Sequence, residues 1–364
     1  MGKLGRRATV RGSTVRFNQS KGGKVNTPFC TFRNEGSEGS EGSEGSEGSE
    51  GSEGSEGSSG AASISGISAY SGRRTSPLLA NALWSTQSEL TRSYPGTVPP
   101  QLERTLAPVA WDAALERWSK EVRGQLYAFD LVSGLRFDGS NPDTATLKDG
   151  AGWSFTLTRP DFDLPATDPK QPKALDDAAL AVLKKAALRG DRMNEILTQV
   201  AIPYAFFAML LNLQPGRHRF TYELMSAAMQ LSGSAVMQFK HHFRVRRPAD
   251  RSALLQPVLL TPSHGSFPAG HSTQANFLVQ ILKELVGNRL GGDLADQLQK
   301  LADRIGENRI VAGVHYEEDI TEGARLGKDL GKYFLLKAKV ASTAQPATPL
   351  QWLWKKADAE QWAS

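Results

Sequence analysis

Two histidines seven positions apart bracket a Phe-Pro-Ala-Gly turn in "HGSFPAGHST", residues 264–273, and the stretch runs on into the apolar "QANFLVQILKELVG". A Gly-His pair where a turn becomes a helix offers backbone N–H groups and the positive end of the helix dipole. Together these make a ready site for an anion. The imidazole adds a proton that can be moved near neutral pH. Gly270 is therefore a candidate backbone donor and His271 a candidate acid/base.

Two further stretches carry matching chemistry. In "KHHFRVRRP", Lys240 ends a helical run and Arg247 stands seven residues later, just before Pro248. Seven residues is two helical turns, so both cations can face one side if the helix persists, while the proline disfavours helix at Arg247 and turns the chain outward. In "NRIVAGVHYEEDITEG", Arg309 precedes His315 by six residues and Asp319 follows it by four. If a helix begins near Tyr316, Asp319 lies under His315, where a carboxylate can accept from one ring nitrogen and leave the other basic. Taken singly, the first stretch reads as a basic helix end complementing its own dipole and the second as a helix-start hydrogen bond. Taken together, one lysine, two arginines, a Gly-His helix start and further imidazoles supply charge-assisted donors around one tetrahedral or trigonal oxyanion.

These residues need elements to hold them. "PVAWDAALERWSKEVRGQLYAF" has Trp111, Ala114, Leu115, Trp118 and Val122 at helical spacing, with Pro108 placed to precede that helix. From Gly134 to Pro165 the pattern dissolves into Gly, Asn, Asp and Pro around "WSFTLT", a short hairpin or an irregular excursion. Helical periodicity then marks 174–189, 191–213, 219–243, 272–287, 293–307 and 317–338, with Gly/Pro-rich loops at 244–270 and 308–316. "QWLWKKADAEQW" reads as one more short packing helix. The expected architecture is an all-α helical bundle with minor irregular or short β excursions.

Composition bounds the rest. Residues 35–58 read EGS eight times over, a polar repeat that cannot bury apolar surface and should behave as a self-repelling linker. We expect a basic disordered tail at 1–34, this flexible linker through residue 60, and a single helical catalytic domain at 61–364. Residues 1–34 hold eight Lys/Arg and no Asp/Glu, the repeat holds eight Glu, and residues 61–364 therefore carry the whole formal net charge of +5. Such a tail suits nucleic acid or an acidic membrane surface, although most such tails are solvated and incidental, and no specific nucleic-acid partner is expected. Cys30 is the only cysteine, so there is neither a disulfide framework nor a cysteine-based metal site. The N-terminus never gives the apolar run of a secretory signal, while an Arg-rich, acid-free targeting segment stays open. The longest apolar stretch, 200–213, contains a proline and falls short of the roughly 18 residues that span a bilayer. A soluble protein is expected, acting alone or as a homo-oligomer.

The three blocks, Lys240-x6-Arg247-Pro248, Pro268-Ala269-Gly270-His271 and Asn308-Arg309-x5-His315-x3-Asp319, resemble the signature of the superfamily shared by vanadium-dependent haloperoxidases and type 2 phosphatidic acid phosphatases. The resemblance covers 240–319 directly and is compatible with helices from about 109 to 338. In the haloperoxidases it implies a vanadate cofactor with His315 as the axial ligand of vanadium. Lys240, Arg247, Arg309 and the Gly270 N–H hold its oxygens, and His271 acts as acid/base. Hydrogen peroxide, a halide and a small organic acceptor are then the reaction partners. In the phosphatases it implies phosphate in the same cradle, His315 as the nucleophile forming a phospho-histidine, and His271 protonating the leaving alkoxide.

Two features resemble the haloperoxidase branch, and bromoperoxidases within it. A long helical stretch precedes Lys240, and His264 stands seven residues before His271, which implies bromide or iodide in preference to chloride. Two departures stand against this. Ala269 replaces a serine whose hydroxyl would bond an equatorial oxygen, a loss on the order of 1.5 to 3 kcal/mol if uncompensated. Asn308 replaces another serine, a milder change. The alternatives to a vanadium-dependent haloperoxidase are a metal-independent acid phosphatase and a phosphate-binding pseudoenzyme. A carboxylate orienting His271 is not identifiable, with the acidic residues of "LDDAAL" as candidates.

Overall fold

The computed structural model describes residues 110–364 except 202, 288, 290–292, 341–343, 361, 363 and 364, together with residues 81, 82, 84–86 and 89. The tail and the EGS repeat lie outside the described residues, as does the boundary expected at 61. The fold is helical with one small sheet. Along the chain run α1 (Trp111–Arg117), α2 (Lys120–Val132), β1 (Leu135–Asn141), β2 (Thr144–Asp149), β3 (Ser154–Thr158), α3 (Gln171–Lys185), α4 (Arg189–Thr198), α5 (Tyr204–Leu211), α6 (Arg219–Phe243), α7 (Gly270–Val286), α8 (Leu294–Val311), α9 (Glu317–Ala338) and α10 (Pro349–Asp358).

Several boundaries differ from the sequence expectation, each for a local reason. The first helix is two helices, because Trp118 and Ser119 adopt extended backbone between them. The run expected over 191–213 stops at Thr198 and resumes at Tyr204, with Pro203 as the cap of the second piece. The irregular stretch forms an antiparallel meander, β1–β2–β3, whose inward residues Ala145, Leu147, Phe155 and Leu157 are buried. The loop expected at 308–316 is shorter, since α8 continues to Val311 and carries Asn308 and Arg309 on helix. Within 244–270, Pro248–Arg251 makes a single helical turn.

Two long helices set the site. α6 buries fifteen of its twenty-five residues. Its N-terminus is closed by Glu360, whose carboxylate accepts from the Phe220 N–H (2.7 Å), the Thr221 N–H (3.1 Å) and the Thr221 hydroxyl (2.7 Å). A carboxylate there satisfies orphan donors and complements the helix dipole. α6 ends at Phe243, where Arg244 takes a left-handed conformation (φ 54°). α7 is buried nearly all round, and the apolar Phe277, Leu278, Val279, Ile281 and Leu282 account for its later turns. Its opening turns are different: His271, Ser272, Thr273, Gln274 and Asn276 are all 1% exposed or less. Polar groups in such a place need partners or a ligand.

α9 lies against α7 at very close range through Gly323, Gly327 and Gly331, which recur every fourth residue and form one ridge. A Cβ at Gly323 would stand 2.6 Å from the Ala269 carbonyl oxygen, and one at Gly327 would overlap the Thr273 carbonyl. The absence of side chains lets the start of α7 sit directly on the start of α9. Four residues preceding or opening these helices, Ala269, Gly270, His315 and Asp319, belong to the sequence blocks above.

Candidate functional site

His315 lies just before α9 and is fully buried; its Nδ1 is 2.9 Å from Asp319 Oδ2. The same oxygen accepts the Tyr316 N–H at 3.0 Å. Asp319 occupies the first turn of α9, where the helix dipole favours a carboxylate. Its Oδ1 is buried and has no hydrogen-bond partner among the described residues. A carboxylate accepts, so His315 donates from Nδ1 and keeps its lone pair on Nε2. Arg247 Nη1, which can only donate, stands 3.4 Å from that nitrogen. The i, i+4 pairing expected from sequence is thus formed, with the tautomer assigned by its two neighbours.

Arg247 reaches this position from the loop that follows Phe243, as the proline after it leads one to expect. Helix does not persist from Lys240 to Arg247; it ends at Phe243, and Arg247 is extended and folds back. Its Nε donates to the His264 carbonyl (3.0 Å), Nη1 to the Val314 carbonyl (2.9 Å), and Nη2 lies 3.2 Å from His264 Nδ1. Its backbone N–H is held by Asp250 at 3.1 Å. Lys240, in the last turn of α6, donates to the Gly265 and Ser266 carbonyls at 2.7 and 2.9 Å. Arg247 Nη2 also approaches the Gly265 carbonyl, at 3.4 Å, so the two cations meet on the loop that leads into α7.

That loop brings in the opening motif. The Ala269 N–H donates to the Asp319 carbonyl at 2.9 Å, which ties the cap of α7 to the turn that holds His315. Gly270 begins the helix, and His271 directs Nε2 to the Val200 carbonyl at 3.2 Å. A carbonyl accepts, so His271 carries a proton on Nε2. The carboxylates suggested for this histidine, Asp176 and Asp177, lie exposed on α3, whereas His271 is buried; a backbone carbonyl takes the orienting place instead.

Arg309 enters from α8 and donates through Nη2 to the Ile196 carbonyl at 3.1 Å. The segment from Ile196 to Val200 therefore touches both Arg309 and His271. It is fastened by Asn308, which is fully buried: Nδ2 donates to Glu195 (3.0 Å) and to Gln199 Oε1 (2.9 Å), while Oδ1 accepts from Arg192 (2.9 Å). Asn308, expected to be a mild replacement, is instead a junction between α8 and α4. A serine side chain is too short to serve three partners at once. Glu195 is held below the usual carboxylate range chiefly by hydrogen bonding from Arg304, with Asn308 and the charge of Arg192 adding to it.

The structure thus connects all nine candidates: Lys240 and Arg247 through Gly265, Arg247 to His315 and His264, His315 to Asp319, Asp319 to Ala269 and onward to Gly270 and His271, and His271 to Arg309 through 196–200. Ala269 is fully buried and contributes its backbone, with no hydroxyl to offer. Sequence reading missed Glu195 and Gln199, which have no motif spacing, gave no role to Gln274 three residues after His271, and did not use the four-residue repeat of Gly323, Gly327 and Gly331. A cleft of about 320 Å³ lined by Arg159, Asp161, Phe267, Glu318, Glu322 and Arg325, among others, includes none of the nine. Among the described residues no group of three or more His, Cys, Asp or Glu is disposed to hold a bare metal cation. The donors, guanidinium groups and imidazoles found here fit an oxyanion, vanadate or phosphate, rather than a cation.

No helix among the described residues is long and apolar enough to cross a membrane. No protein-family model and no curated protein matches the chain. Among solved structures it is similar to a transmembrane PAP2-type phosphatidylglycerolphosphate phosphatase from Bacillus subtilis. That likeness has 22% identity, 46% of this chain and 88% of that one covered, and a TM-score of 0.35. It is also similar to a bacterial vanadium-dependent iodoperoxidase at 18% identity, over 66% of this chain and 52% of that one, with a TM-score of 0.30. The chain thus spans about half the length of the iodoperoxidase.

Proposed function

We propose that the chain is a vanadate-dependent haloperoxidase that uses hydrogen peroxide and bromide or iodide to halogenate a small organic acceptor. The observation that carries the reading is the His315 ring: Asp319 accepts the hydrogen bond from Nδ1–H and the Nε2 lone pair is turned toward Arg247, beside His264. His315 would bind vanadium through Nε2, and Lys240, Arg247, Arg309 and the Gly270 N–H would hold the oxyanion oxygens. When bound, vanadate supplies a Lewis-acid centre that makes peroxide electrophilic toward halide. The chain's own residues do the rest. Asp319 keeps His315 in the tautomer that binds, and the cations and the α7 N-terminus hold negative charge in a buried place. The Val200 carbonyl holds the Nε2–H of His271, which leaves Nδ1 as the nitrogen that would exchange a proton with a departing oxygen. His264 is half-buried against Arg247, and we assign it to the halide side. The balance is peroxide, halide, one proton and R–H to R–X and two waters.

The same ring supports a second reading, a metal-independent acid phosphatase. The His315 Nε2 lone pair would attack phosphorus, forming N–P as the P–O bond to the alcohol breaks. His271 gives its proton to the leaving alkoxide, and water then cleaves the phospho-histidine.

A paired assay separates the readings. Vanadate-loaded protein is tested for peroxide-driven bromination of an activated dione, and metal-free protein for hydrolysis of an aryl phosphate. Bromination that is lost in His315→Ala is the expected result. Phosphatase turnover lost in His315→Ala, with no bromination, selects the second reading. Binding of vanadate or phosphate with neither turnover marks a phosphate-binding pseudoenzyme and overturns both.

A further inference from the structure

Gln274 stands one helical turn beyond His271 on α7 and is 1% exposed, and neither its Oε1 nor its Nε2 has a hydrogen-bond partner among the described residues. The α7 face that meets the glycine ridge of α9 is made by Ala269, Ser272, Thr273, Asn276, Phe277 and Gln280. Residues three apart on a helix share a face, so Gln274 lies with His271 on the side turned away from that ridge. His271 meets the Val200 carbonyl on that side. Gln199, the neighbour of Val200, repeats the pattern. It is 1% exposed, its Oε1 accepts from Asn308, and its Nε2 has no partner among the described residues.

Three amide atoms without partners thus belong to the residue one turn beyond His271 and to the chain neighbour of its carbonyl partner. Each is expensive to bury unpaired, and a molecule that supplies the missing bonds recovers that cost. The flanking groups are neutral. Gln274 offers an acceptor as well as a donor, and Gln199 offers a donor whose direction is fixed because Asn308 holds the other end of the amide. A halide has no proton for Gln274 Oε1; an O–H group both donates and accepts.

We propose that Gln274 and Gln199 form a subsite beside His271 for a small neutral hydroxyl compound, which is hydrogen peroxide in the haloperoxidase reading and water or an alcohol in the phosphatase reading. The subsite rests on the reading of His271 as acid/base. It explains why Asn308, rather than a shorter side chain, stands before Arg309.

The test uses the full chain and its Gln274→Met and Gln199→Met variants, which keep volume and remove hydrogen bonding. In the vanadate-loaded bromination assay the peroxide KM rises about tenfold in each variant, the loss of one or two hydrogen bonds, while the halide KM stays within about twofold. Vanadate affinity, read by calorimetry on metal-free protein, also stays within about twofold, and the melting temperature does not fall in Gln274→Met, whereas Gln199→Met also loses the bond from Asn308 and melts lower. If the protein is a phosphatase instead, added methanol accelerates phenol release from phenyl phosphate in the wild type and not in the variants. An unchanged peroxide KM, or unchanged methanol acceleration, overturns the subsite while leaving the parent reading intact. Vanadate affinity falling in step with KM also overturns it, by placing the glutamines in the anion cradle. A wild type inert in both assays overturns the parent reading and the subsite with it.

Discussion

The working parts of the site are single atoms whose roles follow from what faces them. His315 has its tautomer chosen by a carboxylate on one nitrogen and a guanidinium on the other, so Asp319 matters through His315 and not by touching an anion. Asp319→Asn, which can present an N–H to the ring, is expected to lower turnover and vanadate affinity by roughly 10- to 100-fold, the usual cost of losing an orienting partner. Calorimetric titration with vanadate checks this without relying on turnover. Ala269 gives the opposite experiment. It is the cap of α7, with no side-chain hydrogen bond. Ala269→Ser is expected to tighten vanadate or phosphate binding about three- to tenfold through one added hydrogen bond. It should also stabilise the helix start by about 1 kcal/mol, seen as a raised melting temperature.

At the scale of elements, the cradle depends on how closely α9 approaches α7 and on how α4 is fastened to α8. Gly327→Ala places a methyl group against the Thr273 carbonyl and close to the Phe277 nitrogen. We expect a loss of about 1 to 3 kcal/mol, an overpacking cost, and a melting temperature lower by several degrees. Gly190, on α4, has nothing within 4 Å of its added Cβ. Gly190→Ala therefore serves as a control and should be neutral or stabilising by up to about 1 kcal/mol. The α4–α8 fastening adds a pH dependence. The Glu195 carboxyl is depressed below its ordinary value of 4.5, first by hydrogen bonding from Arg304, so it binds protons less readily folded than unfolded. Its contribution is full above that ordinary value and is lost as the pH falls through the lower, folded one. The melting temperature of the wild type should exceed that of Glu195→Gln at neutral pH, and the gap should narrow as the pH drops below about 4.5. A gap independent of pH would remove Glu195 from the fastening.

For the whole molecule, the candidate site as the described residues form it is built from 192–319 and the helices around it. Deleting residues 1–58 is expected to leave turnover and vanadate affinity within about twofold, measured side by side with the full chain. The sequence by itself determined the helical class, the long helices α6, α7 and α9 to within two residues at each end, and the His315–Asp319 pair. Each of these is a short-range matter: periodicity, capping and i, i+4 spacing depend on a few neighbouring residues. Only the tertiary structure decided how the blocks meet. The helix ends at Phe243, where its periodicity stops and ahead of the proline that disfavours helix at Arg247, but only the fold shows that Lys240 and Arg247 come together on the Gly265 carbonyl. The partner of His271 was sought among carboxylates and proved to be the carbonyl of Val200, seventy-one residues earlier. Gln199 carries no spacing that marks it, and the standing of both Gln199 and Gln274 comes from burial without partners, which only packing can impose. Contacts between distant residues are selected by which helix faces can approach, here by three glycines that let α9 touch the backbone of α7, and that selection is a property of the folded chain.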